Sequence, residues 1–140
     1  MRLILPSALV MLMVGYFLNR DFYPNLFPYQ SETQVAFYLQ KNNLSSNLAT
    51  HGVVSRSTDF YLERTTPDWS NEELQEERAE DWLIFTNEAG LDMLKEMGKK
   101  HEIIKIFGDF HITTLKPKFI NKKTRQETLI NTYLIKVFAK

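Results

Sequence analysis

Sixteen consecutive uncharged residues, Leu3 to Leu18 (LILPSALVMLMVGYFL), open this chain between Arg2 and the polar group Asn19-Arg20-Asp21. A helix crossing the hydrocarbon layer needs about 20 apolar residues, with about 17 as the short limit, whereas a signal-peptide core runs to about 7–15. The length falls between the two. The run passes out through Tyr16-Phe17-Leu18-Asn19-Arg20, not through a small-x-small cleavage site, and Met1-Arg2 is a meagre basic region. The expectation is therefore an uncleaved transmembrane helix over residues 1–20, with an α/β domain over residues 21–140. Pro6 and Ser7 suit a helix whose freed carbonyl is satisfied by neighbouring helices. Past the run, Phe22, Tyr23, Phe27 and Tyr29 place amphipathic rings where a membrane exit favours them, and they equally suit the start of a soluble core.

The 140 residues allow one domain beyond such a helix. With 17 basic and 17 acidic residues there is no net charge, so a nucleic-acid partner has no support. The chain has no cysteine, which removes disulfides, thiolate metal sites and thiol nucleophiles together. A hydrophobic content of 44% is enough for a packed core.

Local patterns then predict the elements. Ser31-Glu32-Thr33-Gln34 has the form of a capping box, opening a helix with Val35, Tyr38 and Leu39 on its buried stripe. A loop is expected from Leu44 to Thr50, a brief strand at Gly52–Ser55 and a short helix at Ser57–Leu62. Ser70-Asn71-Glu72-Glu73 forms a second capping box, for an acidic helix over Asn71–Ala79. Trp82–Thr86 is a continuous apolar run suited to a central strand, and Leu91, Leu94 and Met97 mark a helix stopped by Gly98. Two strands are expected at Glu102–Phe107 and Asp109–Leu115 with Gly108 between them, then a helix from Asn121 to about Leu129 and a last strand at Thr132–Phe138. The order predicts an α/β sandwich around a small mixed sheet.

Nothing in these patterns marks a catalytic centre or a cofactor. There is no phosphate-cradling glycine loop and no nucleophile elbow, and His51, His101 and His111 lack the i, i+4 spacing of a helical metal motif. Charge is nonetheless segregated. Glu63 to Asp81 holds eight acidic and two basic residues, while Lys95 to Lys140 holds eleven basic and four acidic. Within the basic part, Lys116, Lys118, Lys122, Lys123 and Arg125 crowd around Pro117 and Asn121, a density that attracts anionic headgroups or phosphates at about 1 kcal/mol per residue. These five are the candidate contacts for an anionic lipid or phosphate. A solvated loop on one side, and a protein-binding face on the acidic helix through Glu73 and Glu77 on the other, are the competing readings.

The apolar run leading through Phe22-Tyr23-Pro24 to Tyr29-Gln30 is one part of a wider resemblance. It includes the helix ending Tyr38-Leu39, the segment Phe60-Tyr61-Leu62-Glu63-Arg64, Trp82-Leu83-Ile84, and Lys118-Phe119-Ile120-Asn121-Lys122-Lys123-Thr124-Arg125. Together these segments resemble the C-terminal extracytoplasmic domain of bacterial GT-C membrane glycosyltransferases, of the dolichyl-phosphate-mannose protein mannosyltransferase and aminoarabinose transferase type. The resemblance implies a noncatalytic domain of an enzyme that moves a sugar from a polyprenyl-phosphate donor to a lipid or protein acceptor. It further implies a place on the outer face of the cytoplasmic membrane, beside the enzyme's transmembrane core. That family's catalytic acids lie in the first outer loop of the core, so the resemblance carries no catalytic residue into this chain. A stand-alone membrane-anchored interaction module is the alternative.

Overall fold

The computed structural model describes residues 4–44, 47–111 and 116–139. The chain begins with α1 (Ile4–Phe17), whose backbone runs on through a wider π-type turn at Leu18–Phe22 into α2 (Tyr23–Leu26) and a 3-10 turn at Phe27–Tyr29. Next come α3 (Ser31–Lys41), β1 (Leu48–His51), α4 (Arg56–Leu62), α5 (Asn71–Gln75), β2 (Trp82–Asn87) and α6 (Glu88–Glu96). The chain closes with β3 (His101–Asp109), α7 (Pro117–Ile120), a 3-10 turn at Arg125–Thr128 and β4 (Ile130–Val137).

The four strands make one mixed sheet in the order β1-β2-β4-β3, with β1 parallel to β2 and the other pairs antiparallel. The expected mixed α/β architecture is therefore present. Alternation along the two inner strands divides the core between the faces. Leu83, Phe85 and Leu134 join Val35 and Leu39 of α3 on one side. Ile84, Tyr133 and Ile135 join Leu74, Leu91 and Leu94 of α5 and α6 on the other. The apolar run Trp82-Leu83-Ile84-Phe85 reads as continuous because it sits between these two layers.

Both sheet edges are managed. Beside β1, Thr50 N–H donates to the Pro67 carbonyl and Trp69 N–H donates to the Thr50 carbonyl, each at 2.8 Å. In β3 the register slips between Ile103 and Lys105, and the exposed Lys105 has its ammonium 4.5 Å from the Tyr38 ring centre. A bulge and an exposed lysine on an edge strand both discourage strand addition.

Several local expectations are corrected. The strand lies at Leu48–His51, overlapping the end of the expected loop, and not at Gly52–Ser55, because pairing with β2 and full burial outweigh the weak strand preference of Leu-Ala-Thr-His. Ser31 is not a cap: its N–H and Oγ both donate to Asp109 Oδ1, at 3.1 and 2.7 Å, so a carboxylate from the end of β3 terminates α3 instead. The acidic helix stops at Gln75, since only Leu74 of it is buried and isolated short helices do not hold in water. Gly108 lies inside β3 opposite Asn131, where a Cβ would stand 2.8 Å from Leu129 Cδ1; it separates no strands. Most of the second predicted strand, residues 112–115, is outside the described residues. The helix expected at Asn121–Leu129 is replaced by α7 and a separate 3-10 turn.

No residue of α1 is buried. Its 14 residues rise about 21 Å at about 1.5 Å each, short of the roughly 30 Å hydrocarbon layer. Among the described residues no helix is long and apolar enough to cross a membrane, so the crossing expected over residues 1–20 lacks support from helix length.

Candidate membrane-facing site

The basic segment is folded against the foot of the opening helix. Phe119, the one buried residue of α7, stacks on Phe110 with ring centres 3.6 Å apart and planes 9° from parallel. Its edge meets Tyr29 at 5.3 Å, and Leu26, Phe22 and Leu129 close the cluster. Phe110 N–H donates to the Tyr29 carbonyl at 2.9 Å, tying the end of β3 to the same turn. In Lys118-Phe119-Ile120 only Phe119 is buried, so the charged segment anchors by a single ring.

Arg125 does not belong with the free cations. Its Nε donates to the Phe119 carbonyl at 2.8 Å, with longer contacts at 3.4 Å from Nη1 to the Tyr29 hydroxyl and from Nη2 to the Ile120 carbonyl. The guanidinium also lies over both rings, 5.2 Å from Tyr29 and 5.1 Å from Phe119. It fixes the segment's shape. Lys116, Lys118, Lys122 and Lys123 are exposed, and none of their ammonium groups has an ion-pair partner among the described residues. The loop between them is held by side chain–backbone bonds: Thr124 Oγ1 donates to the Lys118 carbonyl at 2.7 Å and Lys123 N–H donates to Asn121 Oδ1 at 3.1 Å. Of the five candidate contacts, the structure thus gathers four as solvated charges and converts the fifth into their support.

Above this group the helix surface is apolar. Leu5, Met11 and Leu12 are each more than 70% exposed. Arg20 lies over the Tyr16 ring and donates to its hydroxyl at the end of the run.

A second feature has no signature in the sequence. A cleft of about 550 Å³ opens on the far side of the sheet, among Trp69, Trp82, Met97, Lys99 and Phe138. The Arg78 guanidinium carbon lies 3.9 Å from the Trp69 ring centre and its Nη2 donates to the Glu73 carbonyl at 3.2 Å. Lys99 Nζ donates to the Glu76 carbonyl at 2.6 Å, and burial pushes its ammonium pKa down. Nothing periodic links Trp69, Arg78 and Trp82, so only the fold could bring them together. The acidic stretch itself is engaged locally: hydrogen bonds from the Ser70 backbone N–H and side chain hold the Glu73 carboxyl below its usual range.

The three histidines are dispersed. His51 is buried with Nδ1 2.7 Å from the Trp69 carbonyl, His101 has Nδ1 2.7 Å from the Lys99 carbonyl, and His111 is exposed. Among the described residues no three His, Cys, Asp or Glu side chains converge on a possible metal site. Ser31, 2% exposed beside a small hollow that His111 also lines, donates its hydroxyl to the Asp109 carboxylate, the same bond that holds the start of α3. No protein-family model, curated protein or solved structure matches this chain.

Proposed function

We propose that this chain is a noncatalytic domain of a membrane glycosyltransferase that moves a sugar from a polyprenyl-phosphate donor to a lipid or protein acceptor. In this reading α1 is embedded in the cytoplasmic membrane and residues 21–140 lie on its outer side. The observation that carries it is one juxtaposition: four exposed lysines are pinned by Phe119 and Arg125 to the foot of an apolar helix with no buried residue. A helix that exposes nearly all its apolar surface to water is unfavourable by about 25 cal/mol per Å², and lipid or neighbouring helices remove that penalty. Lysines at the level where such a helix leaves the lipid meet phosphates, each interaction contributing about 1 kcal/mol. They are there to hold or steer an anionic lipid-linked substrate beside the transmembrane core.

Flotation of the full chain with phosphatidylcholine vesicles, with and without a polyprenyl phosphate, tests this. The chain should float with both and bind more tightly where the phosphate is present. Replacing Lys118, Lys122 and Lys123 by Glu should abolish the difference while flotation persists. Indifference of the unaltered chain to the polyprenyl phosphate would overturn the substrate-lipid role. In a complete enzyme, Lys118→Glu with Lys122→Glu should lower transfer without altering the fold. A stop codon directly upstream of Met1, in place of an in-frame series of apolar spans, would remove the transferase.

A further inference from the structure

Two positions before Tyr29, Phe27 leads away from the basic segment into a different set of rings. Its centre is 5.8 Å from Phe37 on α3; Phe37 is 4.8 Å from Tyr61, and Tyr61 is 5.2 Å from Phe60 on α4. Two exposed bonds brace the row, from Gln34 Nε2 to the Phe27 carbonyl at 3.2 Å and from Gln40 Nε2 to the Tyr61 carbonyl at 2.6 Å. It is not core: Phe27, Phe37 and Phe60 are 37%, 38% and 76% exposed.

We infer that this row is a second membrane contact, seating the α3–α4 face of the domain in the interfacial layer of the bilayer that holds α1. The inference rests on the reading of α1 as lipid-embedded. Three features favour a lipid surface as the occupant. The row begins at Phe27, in the turn that continues the opening helix, so its first ring is at the exit by chain connection alone. Aromatic rings prefer the headgroup level to either water or the hydrocarbon centre. The two exposed phenylalanines of α3 and α4 also each have a cation one helical turn away: Lys41 follows Phe37 by four positions, and Arg56 precedes Phe60 by four. Both cations are exposed, and an apolar ring with a basic neighbour at helical spacing is the pattern of a helix lying in an anionic interface. Glu63 follows Phe60 by three positions but sits beyond the end of α4 in a left-handed backbone conformation (φ 52°). With this contact the domain lies on the membrane by two supports flanking the exit, the ring row through Phe27 and the lysines through Tyr29.

Because the chain has no cysteine, single-cysteine variants report one position each. Val10→Cys, Phe60→Cys and Glu102→Cys, each carrying an environment-sensitive fluorophore, are reconstituted as full chains in vesicles of phosphatidylcholine and phosphatidylglycerol. Quenching by brominated lipid is compared with quenching by aqueous iodide. The expected result is lipid quenching and a blue shift at positions 10 and 60, the latter strongest with bromines near the headgroup, and iodide quenching at position 102. Phe60→Trp, which keeps an aromatic ring, should show the same lipid quenching above the background of Trp69 and Trp82. Iodide quenching at 60 with lipid quenching at 10 would overturn this inference and leave the anchor standing. Iodide quenching at 10 would overturn the anchor itself. Protection at 60 from both quenchers would signify a protein contact and likewise overturn the lipid assignment.

Discussion

At the scale of single residues, the same charge has different consequences a few positions apart. Arg125→Ala removes donors to the Phe119 and Ile120 carbonyls and the Tyr29 hydroxyl, together with the lid over two rings. Urea denaturation of the chain in detergent should show a loss of about 1–3 kcal/mol, and Arg125→Lys should restore little because an ammonium cannot fork to these acceptors. Lys122→Ala and Lys123→Ala should stay within about 0.5 kcal/mol of the unaltered chain. An equal effect at all three positions would remove the distinction between support and free charge. Gly90 is a stricter case. A Cβ there would stand 2.0 Å from Thr86 Oγ1 and 2.7 Å from His51 Cδ2, and Thr86 Oγ1 is engaged in a 2.8 Å bond to the His51 carbonyl. Gly90→Ala should therefore destabilise by about 1–3 kcal/mol despite adding a better helix former, which equilibrium unfolding would register. The cluster of basic residues was legible in the sequence as composition. The division within it was not, because the acceptors of Arg125 are backbone carbonyls that only the α7 turn presents.

At the scale of elements, legibility tracks the range of the interaction that defines each one. Ser70 and Glu73 satisfy each other across one turn, and the capping box reads directly from four residues: Glu73 N–H donates to Ser70 Oγ at 3.2 Å and Ser70 N–H to Glu73 Oε2 at 2.8 Å. Ser31 has the same local signature, yet its partner is Asp109, 78 positions away, so a long-range acceptor displaced a short-range one. β1 was missed for the same reason, since its strand character comes from β2 and from the Pro67–Trp69 segment rather than from its own residues. Ser70→Ala should cost about 1 kcal/mol at neutral pH. The carboxylate side of the box should also depend on pH. The Glu73 carboxyl is held below its ordinary value of 4.5, first by the Ser70 backbone N–H and then by the Ser70 side chain, so its contribution is whole above that pH and fades as pH falls through the lowered value. The gap in stability between the unaltered chain and Glu73→Gln should accordingly be wide at pH 7 and narrower near pH 3. A gap that did not change over this range would separate Glu73 from the cap.

At the scale of the whole molecule, among the described residues the opening segment packs on the globule through Phe22, Leu26 and Tyr29, all beyond α1. α1 contributes no buried side chain, whereas Leu26 and Phe119 are 5% and 0% exposed within the cluster that holds the basic segment. Removing residues 1–17 should therefore leave the unfolding free energy of the remainder within about 0.5 kcal/mol, the range of changes that touch no packed group. It should also abolish vesicle flotation in phosphatidylcholine, where the lysines have no net lipid charge to meet. Leu26→Ala in the full chain should do the reverse, lowering stability by about 2–5 kcal/mol while flotation persists. The two variants thus separate embedding from folding: one loses the membrane and keeps the fold, the other keeps the membrane and weakens the fold. A shortened chain that unfolded cooperatively at much lower urea would mean that α1 packs on the domain, and its apolar surface would then need no lipid to cover it.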